Sequence, residues 1–452
     1  MFTFNINNFR GFLNSNFDIS KLNVLIGENS GGKSSFIKFL LLIKQSMETP
    51  TKDRKINTNG HLIDLGSFEK FINFKADKKD LSFTFLTDEE YLNFFLDFLG
   101  IEDIEEYTKK FQYFLKEKTE LSFNFNKETN EYFTNYIKIF NNGIGTLYID
   151  VSEKMNEPFS DMEDVLVNFI IEHKKYGVFK IKNKISVHGF LMLADPDPII
   201  KYGNEHNIPD LLDEIAHLLL TQNYLWNFLR NIKYINPIKF EPTRILLKRD
   251  NNNIQNIVDY ESLINVLVFL YESKDSKSKE ILKKFNSAIN EIGIAEQIKL
   301  ETNDNIPVSE LKVKVSGIWN SIVDVGYGVG LQIPIILQTI ISSYNDSDTI
   351  IIEQPEIHLH PALHAKFIEV LIKYADNTKI IVETHSEHII RKIQILTKNK
   401  LVDSKEINIY YFENNKGEFK ITNHFLDKKG TLSPIFPKGF FDNSYNLVKE
   451  LY

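Results

Sequence analysis

Residues 27–34 read Gly-Glu-Asn-Ser-Gly-Gly-Lys-Ser and match the G-x-x-x-x-G-K-[ST] phosphate loop without a mismatch. The short apolar run at residues 23–26, before this loop, is typical of a buried strand. After the loop, apolar residues between positions 34 and 47 cover nearly every helical face, and Pro50 ends the run. The sequence therefore predicts a strand, a glycine-rich turn and a buried helix, the local structure of an ATP or GTP site in an α/β fold.

The residue types of this loop suit a phosphate group. Glycines leave room for backbone N–H groups to surround an anion, and the helix N-terminus adds partial positive charge. We expect Lys33 to reach the β- and γ-phosphates and the Ser34 hydroxyl to bind Mg²⁺. The candidate nucleotide-binding residues of the loop are Gly27, Asn29, Ser30, Gly31, Gly32, Lys33, Ser34 and Ser35.

Composition excludes several other classes of site. The 452 residues contain no cysteine, which excludes disulfides, thiolate zinc sites and cysteine nucleophiles. No apolar run approaches the length of about 18 residues that a membrane span needs, and no leader pattern opens the chain. We expect a cytoplasmic protein without membrane contact. The net charge of −8 does not indicate nucleic-acid binding, although a local basic groove is compatible with it.

A second motif is the run Thr-Ile-Ile-Ile-Glu at residues 349–353. It predicts a buried central strand whose acid emerges at the carboxyl edge of the sheet, where α/β proteins bind ligands. We expect Glu353 to hold Mg²⁺ and Glu356 to orient and deprotonate the water that attacks the γ-phosphate. The alternative is a buried strand followed by two solvated acids.

Two further segments flank this strand. The glycine-rich residues 324–332 precede an apolar run at 333–341, which predicts a turn that opens a helix with Pro334 in its first turn. Such a turn is either a second anion site, without the lysine of a phosphate loop, or a simple connection. Residues 378–383 predict another strand, which would place His385 at the same sheet edge as Glu353.

Histidines are concentrated in this part of the chain. Five of the 11 are His358, His360, His364, His385 and His388. Together with the nearby acids they permit a zinc site, but residues 358–361 also fit the turn after the acidic strand, with roles at a nucleotide site or an interface. Ser386 beside His385 lacks the pattern of a nucleophile elbow, so no serine triad is indicated.

The motifs lie at the two ends of the chain. Residues 1–75 hold the phosphate loop, and residues 231–452 hold most of the remaining motifs. Residues 76–230 contain no chemical motif, but alternating runs such as 81–85 and 121–125 predict half-buried strands between charged helical stretches. We therefore interpret 76–230 as an accessory α+β insertion that recognises a partner or trigger.

Five motifs in this order resemble those of a known family, namely residues 8–12 (Asn-Phe-Arg-Gly-Phe), 27–34, 324–328 (Asp-Val-Gly-Tyr-Gly), 353–361 (Glu-Gln-Pro-Glu-Ile-His-Leu-His-Pro) and 383–388 (Glu-Thr-His-Ser-Glu-His). The set resembles the ABC-type ATPases of the OLD-like group, bacterial ATPases related to the heads of SMC and RecF proteins, many of them in antiphage defence. The closest branch also ends in a tail similar to Phe-Pro-Lys-Gly-Phe-Phe-Asp at 436–442. This resemblance implies an ABC/SMC-head-like α/β fold with a mixed sheet, formed from both ends of the chain around the insertion.

The resemblance also implies roles for single positions. Lys33 and Ser34 match Walker A, Glu353 the Walker B acid, Glu356 the catalytic base, and His385 the switch histidine that senses the γ-phosphate.

Other matching positions concern the partner subunit and the rim of the site. Residues 358–361 match the D-loop. Gly326 and Gly328 lie in the signature turn that contacts ATP bound to the other subunit, which implies a head-to-tail ATP-sandwich dimer or a higher homo-oligomer. Arg10 matches a basic residue near the nucleotide, and Gln45 is a candidate for the Q-loop glutamine.

Two departures from the family pattern bear on the function. Gly326 stands where ABC signatures place a serine, which removes a hydroxyl donor to the γ-phosphate and is expected to slow closure or hydrolysis. OLD nucleases continue into a TOPRIM nuclease domain, whereas about 65 residues follow His385 here, without an Asp-x-Asp pair. We therefore expect no nuclease activity in this chain.

Two classes of function follow. The first is an ATPase that senses a trigger and, through ATP-dependent dimerisation, controls a separate effector such as a nuclease or toxin. The second is a RecF- or SMC-like ATPase that clamps duplex DNA in repair or maintenance. The sequence has neither long coiled-coil heptads nor a basic excess, which favours the first. A GTPase or kinase is a third alternative, but the N/T-K-x-D base-recognition motif is missing.

Overall fold

The computed structural model describes residues 2–48, 56–66, 70–73, 80–88, 90–128, 131–150, 165–188, 191–194, 196–236, 242–244, 246–247, 256–302, 308–345, 347–437 and 449–450. The chain divides into two compact units, the first made of residues 1–19, 35–230 and 414–419 and the second of 20–34, 231–413 and 420–452. Among the described helices, none combines the length and the apolar character that crossing a bilayer requires.

The described strands are, in chain order, β1 Phe2–Phe9, β2 Phe12–Ile19, β3 Leu22–Gly27, β4 Leu81–Leu86, β5 Thr119–Glu128, β6 Glu131–Asn141, β7 Gly145–Asp150, β8 Val165–His173, β9 Gly177–His188, β10 Leu191–Ala194, β11 Ile232–Ile235, β12 Leu246–Leu247, β13 Gln297–Thr302, β14 Val308–Val315, β15 Ile318–Ser321, β16 Thr349–Glu353, β17 Lys379–Glu383, β18 Ile407–Asn415, β19 Glu418–Leu426 and β20 Leu432–Ser433. The described α-helices are α1 Lys33–Glu48, α2 Glu90–Leu99, α3 Ile104–Lys110, α4 Gln112–Leu115, α5 Pro196–Glu205, α6 Leu211–Arg230, α7 Tyr260–Glu272, α8 Ser276–Ile292, α9 Tyr327–Ser342, α10 Pro361–Ala375 and α11 Glu387–Lys398.

The first unit is built on a nine-stranded sheet in the order β10-β9-β8-β7-β6-β5-β4-β1-β2. Neighbouring strands are antiparallel, including β1 with β4. Alternation along β4 buries Leu81, Phe83 and Phe85 on one face, as the sequence pattern predicts. Strands on either side of position 75 therefore share one sheet, and the proposed functional division at 75/76 does not coincide with a border between the units.

A stripe of polar side chains on α6 packs into this unit, consisting of Glu214, His217, Thr221 and Tyr224. Each is buried and paired: His173 Nε2 lies 2.9 Å from Glu214, and His217 Nε2 lies 3.1 Å from the Thr119 hydroxyl. The Tyr224 hydroxyl donates to Asp88 at 2.6 Å. Because buried polar groups are costly without partners, these bonds fix the register of α6 on its neighbours.

The second unit contains the sheet that carries the motifs, in the order β11-β16-β17-β3-β18-β19-β20. From β11 to β18 all neighbours run parallel, and β19 pairs antiparallel with β20, so the sheet is mixed. Its inner strands are buried on both faces, as the unbroken apolar runs predict. β3 comes from the N-terminal part of the chain and its neighbours from the C-terminal part, which confirms the predicted assembly from both ends.

Helix α9 corrects one detail of the sequence interpretation. It begins at Tyr327, so Pro334 lies in the helix interior and not in the first turn. A Cβ on Gly328 would lie 2.3 Å from the His358 carbonyl oxygen, and one on Gly330 2.8 Å from Pro242. Tight packing around these glycines lets the helix begin earlier in the sequence than their low helix propensity suggests. Nearly the whole helix is buried, which offsets the backbone hydrogen bond lost at the proline.

Candidate nucleotide site

The phosphate loop lies between β3 and α1, as predicted, and its glycines have a packing reason. Gly27 has φ of +139°, and a Cβ there would lie 2.2 Å from the Phe412 carbonyl oxygen on β18. A Cβ on Gly31 would lie 2.8 Å from the same oxygen. Any larger side chain at these positions would push the loop off β18, so glycine holds the backbone in place for an anion.

Lys33 points back into the loop. Its ammonium donates to the carbonyl oxygens of Gly27 at 3.0 Å and of Glu28 at 2.6 Å, and the residue is only 4 % exposed. Burial lowers the pKa of Lys33, against the opposing charges of Glu383 and Glu28. The tip of the loop, including Asn29 and Ser30, is exposed. The ammonium group thus lies where a phosphate oxygen would replace the two carbonyl oxygens as its hydrogen-bond acceptor.

Two acids lie at the edge of the sheet beside this loop. Glu353 ends β16 and Glu383 ends β17, and the two are register partners on neighbouring parallel strands. The hydroxyl of Tyr234 on β11 donates to Glu353. The Ser34 hydroxyl lies 3.0 and 3.1 Å from the two carboxylate oxygens of Glu383. The acid in contact with Ser34 is therefore Glu383 and not Glu353, which lies one strand further along the sheet.

Sequence reasoning assigned no role to Glu383, although a signal was present. The strand ends Ile-Ile-Ile-Glu at 350–353 and Ile-Ile-Val-Glu at 380–383 have the same pattern, with an acid at the carboxyl end of each. The contact with Ser34 depends on strand order, because β17 lies between β16 and β3. Strand order cannot be read from spacing along the chain.

The electrostatics of this edge favour a cation. Burial and, after it, the nearby charge of Glu353 raise the pKa of Glu383 to about 7, although the Ser34 hydrogen bond and the charge of Lys33 act to lower it. A hydroxyl and carboxylates are the oxygen ligands that Mg²⁺ prefers. The Ser34 hydroxyl and the Glu383 carboxylate, with Glu353 as its register partner, are therefore oxygen donors of the kind that Mg²⁺ binds.

Glu356 and His385 also meet at this edge. The backbone N–H of His385 donates to Glu356 Oε1 at 2.7 Å, and Glu356 Oε2 is buried without a partner. The His385 ring is on an exposed residue, and partial desolvation together with the charge of Lys33 lowers its pKa. The exposed His385 and the carboxylate of Glu356, one oxygen of which has no partner, therefore lie together at this edge.

The glycine turn at the start of α9 packs on the turn after β16. Gly328 contacts the backbone of His358, the rings of Tyr327 and His358 lie 5.2 Å apart, and Gln332 donates to the Pro355 carbonyl oxygen at 2.6 Å. By contrast, a Cβ on Gly326 would meet no atom within 4 Å. The fold therefore does not require glycine at position 326 for steric reasons, and a serine would fit there.

Arg10 and Gln45 belong to the first unit, with Ser35. Arg10 has φ of +49° and donates to the Ser35 hydroxyl at 3.4 Å, while its Nε is buried without a partner. Gln45 lies inside α1, is buried, and bonds the backbone of Asn57 and Ile63. The amide of Gln45 therefore holds the loop that follows α1.

The other histidines have local partners. His364 lies 2.9 Å from the Ser386 hydroxyl, and His360 accepts from the Ala362 N–H at the start of α10. The rings of His364 and His388 are 5.8 Å apart. Within the described ranges no group of three or more histidine or acidic side chains has metal-binding geometry.

Two family models match the chain. One, described as an AAA ATPase domain, matches residues 1–390, and a second, described as a protein of unknown function (DUF3696), matches residues 402–451. The first covers most of the chain, and the protein therefore belongs to the AAA ATPase domain family. The second includes the tail at 436–442, of which residues 438–442 lie outside the described part. No curated protein matches.

Three solved structures to which the chain is similar are SMC heads. An SMC head bound to the C-terminal winged-helix domain of ScpA is 11 % identical, with TM-score 0.44, and the match covers 94 % of this chain and 98 % of that one. The SMC head domain from Thermotoga maritima is 10 % identical, with TM-score 0.37 and coverage of 93 % and 97 %. The Pyrococcus furiosus SMC head with an extended coiled coil, bound to the C-terminal domain of ScpA, is 10 % identical, with TM-score 0.40 and 100 % of both chains covered.

Proposed function

We propose that this protein is an ABC-type ATPase that binds ATP with Mg²⁺ at the loop of residues 27–34 and hydrolyses it slowly. The observation that carries the proposal is the meeting of Ser34 with an acid that stands in register with Glu353, beside the buried ammonium of Lys33. A phosphate loop on a strand flanked by acid-ended parallel strands supplies the positioning and charge neutralisation that phosphoryl transfer needs.

Within this proposal the loop backbone holds the phosphates and Lys33 binds the β- and γ-phosphate oxygens. Ser34 and Glu353 hold the Mg²⁺, which neutralises phosphate charge when bound. Glu356 orients the attacking water and takes its proton, for which its unpaired buried oxygen is suited. His385 donates to the γ-phosphate.

The proposed active assembly is a head-to-tail dimer or higher homo-oligomer. Gly326 and Gly328 of one subunit would contact the nucleotide of the other, which agrees with the open space beside Gly326.

We further propose that the ATPase is a sensor and switch subunit of the OLD-like group in a bacterial antiphage system, controlling a separate nuclease or toxin. The accessory strands of residues 76–230 are the proposed surface for the trigger or effector. The alternative of a RecF- or SMC-like clamp on duplex DNA would be favoured by a salt-dependent affinity for plain duplex DNA.

The test of the proposed activity compares wild-type protein with Lys33→Ala. We expect the wild type to bind a fluorescent ATP analogue in the presence of Mg²⁺ and to release phosphate from ATP, and Lys33→Ala to do neither. Folding of the variant is checked by its thermal melt. Equal nucleotide affinity for the two proteins would rule out this loop as the site.

A further inference from the structure

We propose that Glu383 is a third protein ligand of the Mg²⁺ cation, beside Ser34 and Glu353. The inference rests on the proposed function and deepens it. It assigns a metal-binding role to the end of β17, which lies between β3 and β16 in the sheet. The sequence motifs indicate only that this strand leads to His385.

The first support is the position of the side chain. β17 is hydrogen-bonded to β3 on one side and to β16 on the other, so Glu383 ends the strand next to the phosphate loop, while Glu353 ends the strand beyond it. A cation that touches both Ser34 and Glu353 has to lie over the end of β17. Glu383 is therefore the carboxylate with the shortest reach to that position.

The second support is the contact itself. The Ser34 hydroxyl faces both carboxylate oxygens of Glu383, at 3.0 and 3.1 Å, and Glu383 is only 2 % exposed. A hydroxyl has one proton and donates to one of these oxygens at a time. The carboxylate thus keeps acceptor capacity directed at the residue that is expected to hold the metal.

The third support is that Glu353 already accepts a hydrogen bond from another residue. Tyr234 donates to it, which uses some of its acceptor capacity and fixes its orientation. The backbone also ties the two acids together, because Gln354 N–H donates to the Glu383 carbonyl oxygen at 2.7 Å. Glu383 is buried and Glu353 partly buried, so the two neighbouring carboxylates repel one another, and a divalent cation between them relieves that repulsion.

The experiment measures metal affinity apart from turnover. Mn²⁺ is titrated into the full chain with a non-hydrolysable ATP analogue and followed by electron paramagnetic resonance. We expect Glu383→Gln to weaken Mn²⁺ binding by roughly ten-fold or more. Affinity for the analogue in EDTA should stay as in the wild type. The matched control is Glu369→Gln on α10, whose carboxylate pairs with Lys392 at 2.7 Å, and it should change neither value.

Glutamine separates the metal-binding role from a purely structural one. Its amide oxygen still accepts from the Ser34 hydroxyl, so a residue that only positions Ser34 would leave the Mn²⁺ affinity unchanged, and that result overturns the inference. If Glu383→Gln does not fold, Glu383→Asp keeps the charge but shortens the side chain, and it is expected to weaken Mn²⁺ binding several-fold; wild-type affinity in that variant equally overturns the inference. A wild-type chain that binds no nucleotide would instead contradict the proposed function.

Discussion

Lys44, in the helix that follows the phosphate loop, donates to the carbonyl oxygen of Arg230 at 3.0 Å, and also to that of Leu229 at 3.1 Å. Both carbonyls belong to the last turn of α6, which has no later N–H groups to satisfy them. A cation at a helix C-terminus is favourable, and Lys44 is almost fully buried. The lysine therefore joins α1 to α6 within the first unit.

We expect Lys44→Met to lower the free energy of unfolding by about 2 kcal/mol, because it removes charge-assisted hydrogen bonds and leaves the carbonyls of α6 without a partner. Chemical denaturation measures this change. Lys38→Met on the same helix is the control, since Lys38 is only half-buried, and it should cost much less. Equal losses in the two variants would mean that Lys44 contributes only apolar packing.

Glu356→Gln should keep ATP bound and stop its hydrolysis. Loss of the general base is expected to lower kcat by about 10²-fold or more, while nucleotide affinity remains. Size-exclusion chromatography with light scattering is expected to find an ATP-dependent dimer or higher assembly of this variant. Hydrolysis at the wild-type rate would show that Glu356 is not the base.

Serine substitutions at the two signature glycines should have opposite results. Gly328→Ser places a Cβ 2.3 Å from a backbone oxygen and is expected to cost about 3 kcal/mol of folding free energy. Gly326→Ser meets open space and caps α9, so it should be neutral or slightly stabilising. Thermal melts of the two variants measure the contrast. Similar melts would contradict the packing of α9 on His358.

Gly326→Ser is also the cleaner probe of the proposed dimer. It restores a hydroxyl donor without disturbing its own subunit, and a charge-assisted bond to the γ-phosphate is worth about 1.5–3 kcal/mol. We expect ATP-dependent assembly to occur at lower protein concentration in this variant. An unchanged concentration dependence would argue against a signature contact with nucleotide.

Acid should weaken the first unit through His217. Burial lowers the pKa of this imidazole to about 3, against an ordinary value of 6.5, so below pH 6.5 the unfolded state binds a proton that the folded state does not. Stability is therefore fully present above pH 6.5 and falls as the pH decreases towards 3.

Between pH 7 and pH 5 the His217 contribution to the loss is about 2 kcal/mol. His217→Gln retains a hydrogen-bonding group for Thr119 and cannot titrate, so the stability difference between wild type and variant should shrink by that amount at pH 5. Urea unfolding at both pH values measures it. A difference that does not depend on pH would place the titration elsewhere.

The sequence predicted the local elements of the site well, because they depend on short patterns. The phosphate loop, the strand ending at Glu353 and the strand ending at Glu383 lie where the apolar runs and glycines indicate. Contacts between elements were harder. The Ser34–Glu383 pair follows from strand order, and the early start of α9 follows from packing around Gly328, neither of which is written in a local pattern.

Residues 76–230 illustrate the same limit. Alternation predicted strands such as β4 and β5, since one face of each is buried. The pairing of β4 with β1, and the polar stripe of α6, join residues far apart in the chain. Single polar residues such as His217 look like surface residues in the sequence, and only the fold reveals them as buried.

The place of β3 between β17 and β18 has a consequence for synthesis. Asn23 on β3 donates to Ile380, 357 residues later in the chain. At about 5–20 residues per second, a ribosome needs roughly 20–70 seconds to deliver that neighbour. Throughout this time the apolar strand that leads into the phosphate loop has no sheet to join. The phosphate loop therefore gains its two neighbouring strands only after residues 379–412 have been made.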